Sequence, residues 1–126
     1  MPETITVRED LGVIEIRSFG KVTQTEMSTT RQRVEQILQK QGIRKILVDA
    51  RDLTMTEGTT SLFEFGASFD EAPSFRFAHL ALIVSEQSQQ DLQFLATVAQ
   101  NRGIQIKVLD SVDAGLEYLQ AIQTQT

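Results

Sequence analysis

The chain has no cysteine, which excludes disulfides, thiolate metal sites and cysteine nucleophiles. A cysteine-free composition also fits a cytoplasmic protein, and cytoplasmic is the expected location. There is one histidine, His79, so imidazole-based catalysis would rest on that residue alone. No G-x-S-x-G, H-E-x-x-H or G-x-x-x-x-G-K-[ST] motif occurs, which removes the usual signatures of serine hydrolases, zinc proteases and P-loop enzymes. The glycines stand singly at turns and helix ends, not as a dinucleotide fingerprint. No apolar run approaches the roughly 18 residues of a membrane span. The start, Met1-Pro2-Glu3-Thr4, lacks the basic residues and apolar stretch of a signal peptide. A net charge of −5 argues against a nucleic-acid partner, which would call for a basic footprint.

What is present is the alternation of an α/β domain. The 126 residues fit one domain, 1–126, with no room for a second core. Ile5 and Val7, then Val13, Ile14 and Ile16, read as a hairpin turning near Asp10 to Gly12, with Gly20 closing the second strand. Thr23 with Glu26 three residues on has the capping-box pattern. Met27, Arg31, Val34, Ile37 and Leu38 then recur at helical spacing up to a glycine stop at Gly42. Arg31, Arg33, Lys40, Arg44 and Lys45 read as a solvated face, since Glu26, Glu35 and Asp49 interrupt them. Three apolar strands follow, at 45–50, 79–84 and 104–110. Between and after them lie helices marked by Leu62, Phe65, Gly66 and Phe69, by Leu92, Leu95, Ala96 and Ala99, and by Val112, Leu116 and Leu119. Asp110 or Ser111 is the expected cap of the last helix, and Ser88 with Asp91 that of the one before. The predicted order is ββαβαβαβα, with an N-terminal hairpin, parallel later strands and helices packed on the sheet. The tail 123–126 is expected to fray.

Three places carry candidate chemistry. The first is the loop after the strand at 45–50, with Thr54, Thr56, Glu57, Gly58, Thr59, Thr60 and Ser61 leading into a helix. Carboxyl ends of strands and the helix starts beyond them are where ligands and regulation sit in open α/β sheets. A threonine there can serve as an anion site, a phosphate acceptor or a plain N-cap. The second is the phenylalanine cluster at Phe63, Phe65, Phe69, Phe75 and Phe77, five of the seven in the chain. Phe65 and Phe69 follow the apolar stripe, whereas Phe63 lies off it and suits a partner surface. Alternatively, Phe65, Phe69, Phe75 and Phe77 line an apolar pocket. The third is a set of carboxylates, Asp49 and Asp110, each following a strand. Magnesium binding or helix capping is open to them, and a triad with His79 is the enzymatic alternative.

The pattern resembles the STAS family, the sulfate-transporter and anti-sigma-factor-antagonist domain, from Ile5 to about Leu119. It is strongest over 13–16 with Gly20, and over Ile46-Leu47-Val48-Asp49 leading to Asp52-Leu53-Thr54. Laid on the family pattern without gaps, Glu57 takes the acidic position and Thr59 that of the phosphorylatable hydroxyl. Glu57-Gly58-Thr59-Thr60 stands where the family has Asp-Ser-Ser-Gly. The segment 63–77 and the helix end at Asn101-Arg102-Gly103 are more similar to the divergent SpoIIAA-like branch, which in turn resembles the lipid-binding CRAL-TRIO fold.

The resemblance implies a non-catalytic regulatory module with a protein partner, needing no cofactor or metal. Thr59 would be its phospho-acceptor, and Thr56, Glu57, Gly58, Thr60, Ser61 and Phe63 its partner surface. The alternative is a carrier of a small apolar ligand or lipid. A cavity beneath the second helix would favour the carrier, because an interaction module should pack solid there. A homodimer is expected through the exposed strand edge, where Glu3, Arg8, Glu9 and Arg17 would limit uncontrolled pairing.

Overall fold

Period-two alternation turns Ile5 and Val7 of β1 (Glu3–Arg8) to the same side, with Ile16 and Ile14 of β2 (Val13–Lys21) opposite them. The computed structural model describes residues 3–54 and 58–122. The tail 123–126 therefore lies outside the described residues. The hairpin turn closes through Leu11 N donating to Arg8 O at 3.1 Å, with Gly12 at φ 65°. Only glycine takes that left-handed conformation without strain. β2 runs one residue past Gly20 to Lys21.

Helix α1 (Gln24–Gln41) starts on the expected capping box. Glu26 N donates to Thr23 Oγ1 at 3.2 Å, and Thr23 N donates to Glu26 Oε1 at 3.0 Å. It stops at Gly42, whose N–H reaches Leu38 O. Then come β3 (Lys45–Thr54), α2 (Thr59–Ala67), two short 3-10 helices (Ser68–Glu71 and Pro73–Phe77), β4 (His79–Ile83), α3 (Gln89–Gln100), β5 (Gln105–Leu109) and α4 (Val112–Ala121). Phe69 thus lies in a 3-10 turn beyond α2. Ser111 caps α4, its side chain accepting from Ala114 N at 3.1 Å. Ser88 precedes α3 without a side-chain cap bond. Its hydroxyl turns back to accept from Ser85 N at 3.1 Å.

The five strands lie in chain order, β1 antiparallel to β2 and the rest parallel. Each crossover advances one strand in the same direction. The right-handed rule therefore sets α1, α2 and α3 on one face, and α4 packs back on the other, against β3, β4 and β5. Strand β4 is buried on both faces, as its continuous apolar run requires. Leu80 and Leu82 join the larger cluster under α1–α3, while Ala81 and Ile83 join the smaller one under α4. This is the α/β arrangement, with an N-terminal hairpin and parallel later strands, that the sequence pattern predicts. One irregularity matters below: between Arg17↔Asp49 and Phe19↔Asp52 strand β3 carries one residue more than β2, a bulge alongside Ser18.

Candidate functional site

The loop candidates divide. Thr56 and Glu57 lie outside the described residues. Gly58 is the N-cap of α2 and provides no side-chain cap bond, so the cap position of this helix is not a threonine. Thr59 and Thr60 are exposed in its first turn and Ser61 is half-buried. Phe63, one turn in, is 48% exposed, off the buried stripe of Leu62, Phe65 and Gly66.

The enzymatic constellation does not assemble. Parallel register pairs His79 with Lys45 and Asp49 with Ile83, at opposite ends of the shared ladder. Four residues of strand separate them by about 13 Å. Asp110 follows Leu109, which pairs with Ile83, and so also lies at the far end from His79. Asp49 and Asp110 are themselves separated by β4, and no cluster of three or more metal-ligating side chains exists among the described residues. Nor do these carboxylates cap helices. Asp49 lies inside β3, where Arg51 donates to it from Nε at 2.9 Å and from Nη2 at 3.0 Å. The hydrogen bond from the Arg51 side chain holds its carboxyl below the usual value, against the opposing effect of burial.

Under α2 the phenylalanines build a cavity. Phe65, Phe69 and Phe75 are buried and stack edge to face, with ring centroids 5.4 and 5.3 Å apart. Phe77 does not join them and is 67% exposed. Residues two apart on a 3-10 helix point some 120° from each other, so Phe75 and Phe77 cannot share a wall. The three buried rings, with Val34 of α1, Leu95 and Ala96 of α3 and Ile16, Val48, Leu80 and Leu82 of the sheet, line a cavity of about 100 Å³. Small side chains leave this space: Ala50 beside the β3 bulge and Ala96 on α3. At Gly66 helices α2 and α3 close tightly. A Cβ on Gly66 would come within 2.9 Å of Val98 Cγ1.

Two charged residues that sequence reasoning assigned to the surface line the cavity. Arg31 is only 6% exposed, not part of a solvated face. Its guanidinium lies over Phe65 at 4.9 Å and Phe69 at 5.1 Å. It donates from Nη1 to Ser68 Oγ at 2.6 Å and to Phe65 O at 3.4 Å, with Nη2 3.6 Å from Glu71 Oε2. Burial pushes this guanidinium below its usual value, and Glu71 and Glu35 push back. Glu35, one turn on, accepts from Ser74 N at 3.1 Å. Arg31 and Glu35 thus fasten α1 to the segment that follows α2. Glu3, expected to guard the strand edge, instead turns inward on the side of Ile5 and accepts a hydrogen bond from buried Ser18 Oγ. The signals were available. Arg31 stands on the Met27–Val34–Leu38 stripe, and Glu3 shares the parity of Ile5 and Val7.

No family model and no curated protein sequence matches the chain. Among solved structures it is similar to an uncharacterised protein of the DUF3478 family with a SpoIIAA-like fold, from Shewanella loihica PV-4. That comparison gives a TM-score of 0.56 at 18% identity over 93% of each chain. The likeness shows the fold. No helix among the described residues is long and apolar enough to cross a membrane.

Proposed function

We propose that this SpoIIAA-like chain binds a small, predominantly apolar molecule in the cavity beneath α2. The observation that carries the reading is the 100 Å³ space walled by Phe65, Phe69 and Phe75 beneath α2. Protein interiors ordinarily leave few voids larger than a water molecule. An apolar cavity of about 150 Å³ holds benzene, so this one suits a short branched chain or a small ring. Drug-sized sites run from about 300 to 1,000 Å³, so an acyl chain would require α1 and α2 to part. A small ligand is therefore favoured over a lipid.

Xenon tests the reading, because it enters dry apolar cavities without a polar anchor. Under xenon pressure the methyl resonances of Leu82, Leu95 and Ile106 should shift saturably, while those of Val13 and Leu47 on the α4 face stay fixed. Unmoved lining methyls would refute it.

A second reading, a protein-interaction module, has its own support in Phe63 and Phe94. They are exposed on α2 and α3, two helices that pack on each other beside Gly66. Exposed rings on adjacent helices suit a partner or a second copy of the chain. On this reading Thr59 is the phospho-acceptor at the exposed start of α2, and Thr59→Glu alters partner affinity. Phe63→Ser would weaken association and leave the thermal midpoint unchanged. Equal association of Phe63→Ser and wild type would rule this surface out.

A further inference from the structure

We infer that the cavity ligand carries a hydrogen-bond donor, best a primary ammonium, that docks on Glu3 at the β1–β2 end of the cavity. The inference rests on the ligand reading above and specifies the chemistry of the ligand.

Glu3 and Ser18 face each other across the β1–β2 ladder, and both line the cavity. The Ser18 hydroxyl occupies Glu3 Oε2, whereas Oε1 is buried and has no hydrogen-bond partner. A buried carboxylate oxygen without a donor carries a desolvation penalty that a donor brought by a ligand would remove. Glu35 Oε2 is also buried without a partner. It does not line the cavity, however, and its side chain is engaged with Gln39 and Ser74.

Charge narrows the class of donor. No lysine or arginine among the described residues forms an ion pair with Glu3. Arg31, the cation in the cavity wall, already has Ser68, Phe65 O and Glu71 as partners. The unmet requirement is therefore for positive charge, and a ligand carboxylate would face repulsion at this end. Position fits as well. Glu3 begins an edge strand, and Ser18 sits beside the β3 bulge near the carboxyl ends of β2 and β3. Open α/β sheets bind ligands outside those ends. The apolar body would lie against Val48 and Phe65, its ammonium on Oε1. A four-carbon chain matches the space.

The test titrates n-butylamine, 1-butanol and butyrate at neutral pH into wild type, Glu3→Gln and Ser18→Ala, followed by the lining methyls. Xenon is the polarity-blind control on each protein. In wild type, butylamine is expected to bind at least tenfold more tightly than 1-butanol, in line with a charge-assisted bond, and butyrate more weakly than both. Glu3→Gln should bring amine and alcohol within about twofold while xenon still enters. Ser18→Ala keeps Oε1 and frees Oε2, so it should retain the amine preference. It also serves as the deciding variant should Glu3→Gln fail to fold. Entry of xenon with no preference for the amine, or loss of that preference in Ser18→Ala, would overturn the assignment of Glu3 and leave the cavity reading standing. Exclusion of xenon together with all three probes would overturn both.

Discussion

Removal of the Arg31 guanidinium should loosen the wall between α1 and the segment after α2, and its cost follows from the contacts. The hydrogen bond to Ser68 Oγ at 2.6 Å is charge-assisted and shielded from solvent; bonds to charged groups contribute about 1.5–3 kcal/mol. Stacking on Phe65 and Phe69 at 4.9 and 5.1 Å adds about 0.5–1 kcal/mol per ring. Relief of the desolvation penalty in the variant takes back part of this. The net expectation for Arg31→Ala is about 3 kcal/mol. A domain of this size loses about 4 °C of thermal midpoint per kcal/mol, so the midpoint should fall by about 12 °C. Glu71 behaves differently: it is 78% exposed and 3.6 Å from Nη2, so Glu71→Gln should cost no more than about 0.5 kcal/mol. Urea unfolding of wild type, Arg31→Ala, Ser68→Ala and the double variant gives the coupling directly, expected at about 1–2 kcal/mol. A loss below about 1 kcal/mol for Arg31→Ala, or zero coupling to Ser68, would refute the reasoning.

Two glycines should respond unequally to alanine. At Gly66 the new Cβ meets Val98 Cβ at 3.0 Å as well as Cγ1 at 2.9 Å, and a β-branched stem cannot swing aside. Gly66→Ala should therefore cost about 1–3 kcal/mol in urea unfolding. At Gly115 the atoms met at 2.7 Å are the flexible ends of Ile83 and Leu47; the gain in helix propensity, about 1 kcal/mol, offsets most of the strain there. Equal losses at the two sites would contradict this packing account. Asp49 gives a pH signature: its folded-state carboxyl is held low by Arg51, so its stabilising contribution is present above the unfolded value near about 3.9 and lost as pH falls through the folded one. The stability gap between wild type and Asp49→Asn should close on acidification, and a gap constant from pH 7 to pH 2 would contradict it.

Local chemistry made most of the fold legible. The Thr23–Glu26 box, the glycines at 12 and 42 and the doubly buried run of β4 each act over a few residues. The phenylalanine cluster was legible as a pocket wall in three of its four members. The fourth, Phe77, depended on α2 ending at Ala67 and passing into 3-10 geometry, which no periodicity announced. Arg31 and Glu3 face inward by position, against residue type: helical spacing puts Arg31 on the Met27–Val34–Leu38 stripe, and strand parity puts Glu3 with Ile5. An arginine on an apolar stripe is tolerated when rings and a hydroxyl from another helix meet it, and those partners lie more than thirty residues away. The space itself had no sequence signal, because it arises from Ala50, Ala96 and a bulge meeting in three dimensions.

Occupancy of the cavity is tested most directly by native mass spectrometry of the chain purified from the organism that makes it, alongside an Ala96→Leu variant produced the same way. Leucine at this fully buried position on α3 adds three carbons to the cavity wall and should fill most of the space. Wild type is expected to carry a small-molecule mass increment under gentle conditions that disappears on denaturation, and Ala96→Leu is expected to fly without it at an equal or higher thermal midpoint. A bare wild-type mass, or the same increment on the filled variant, would contradict a ligand in this cavity.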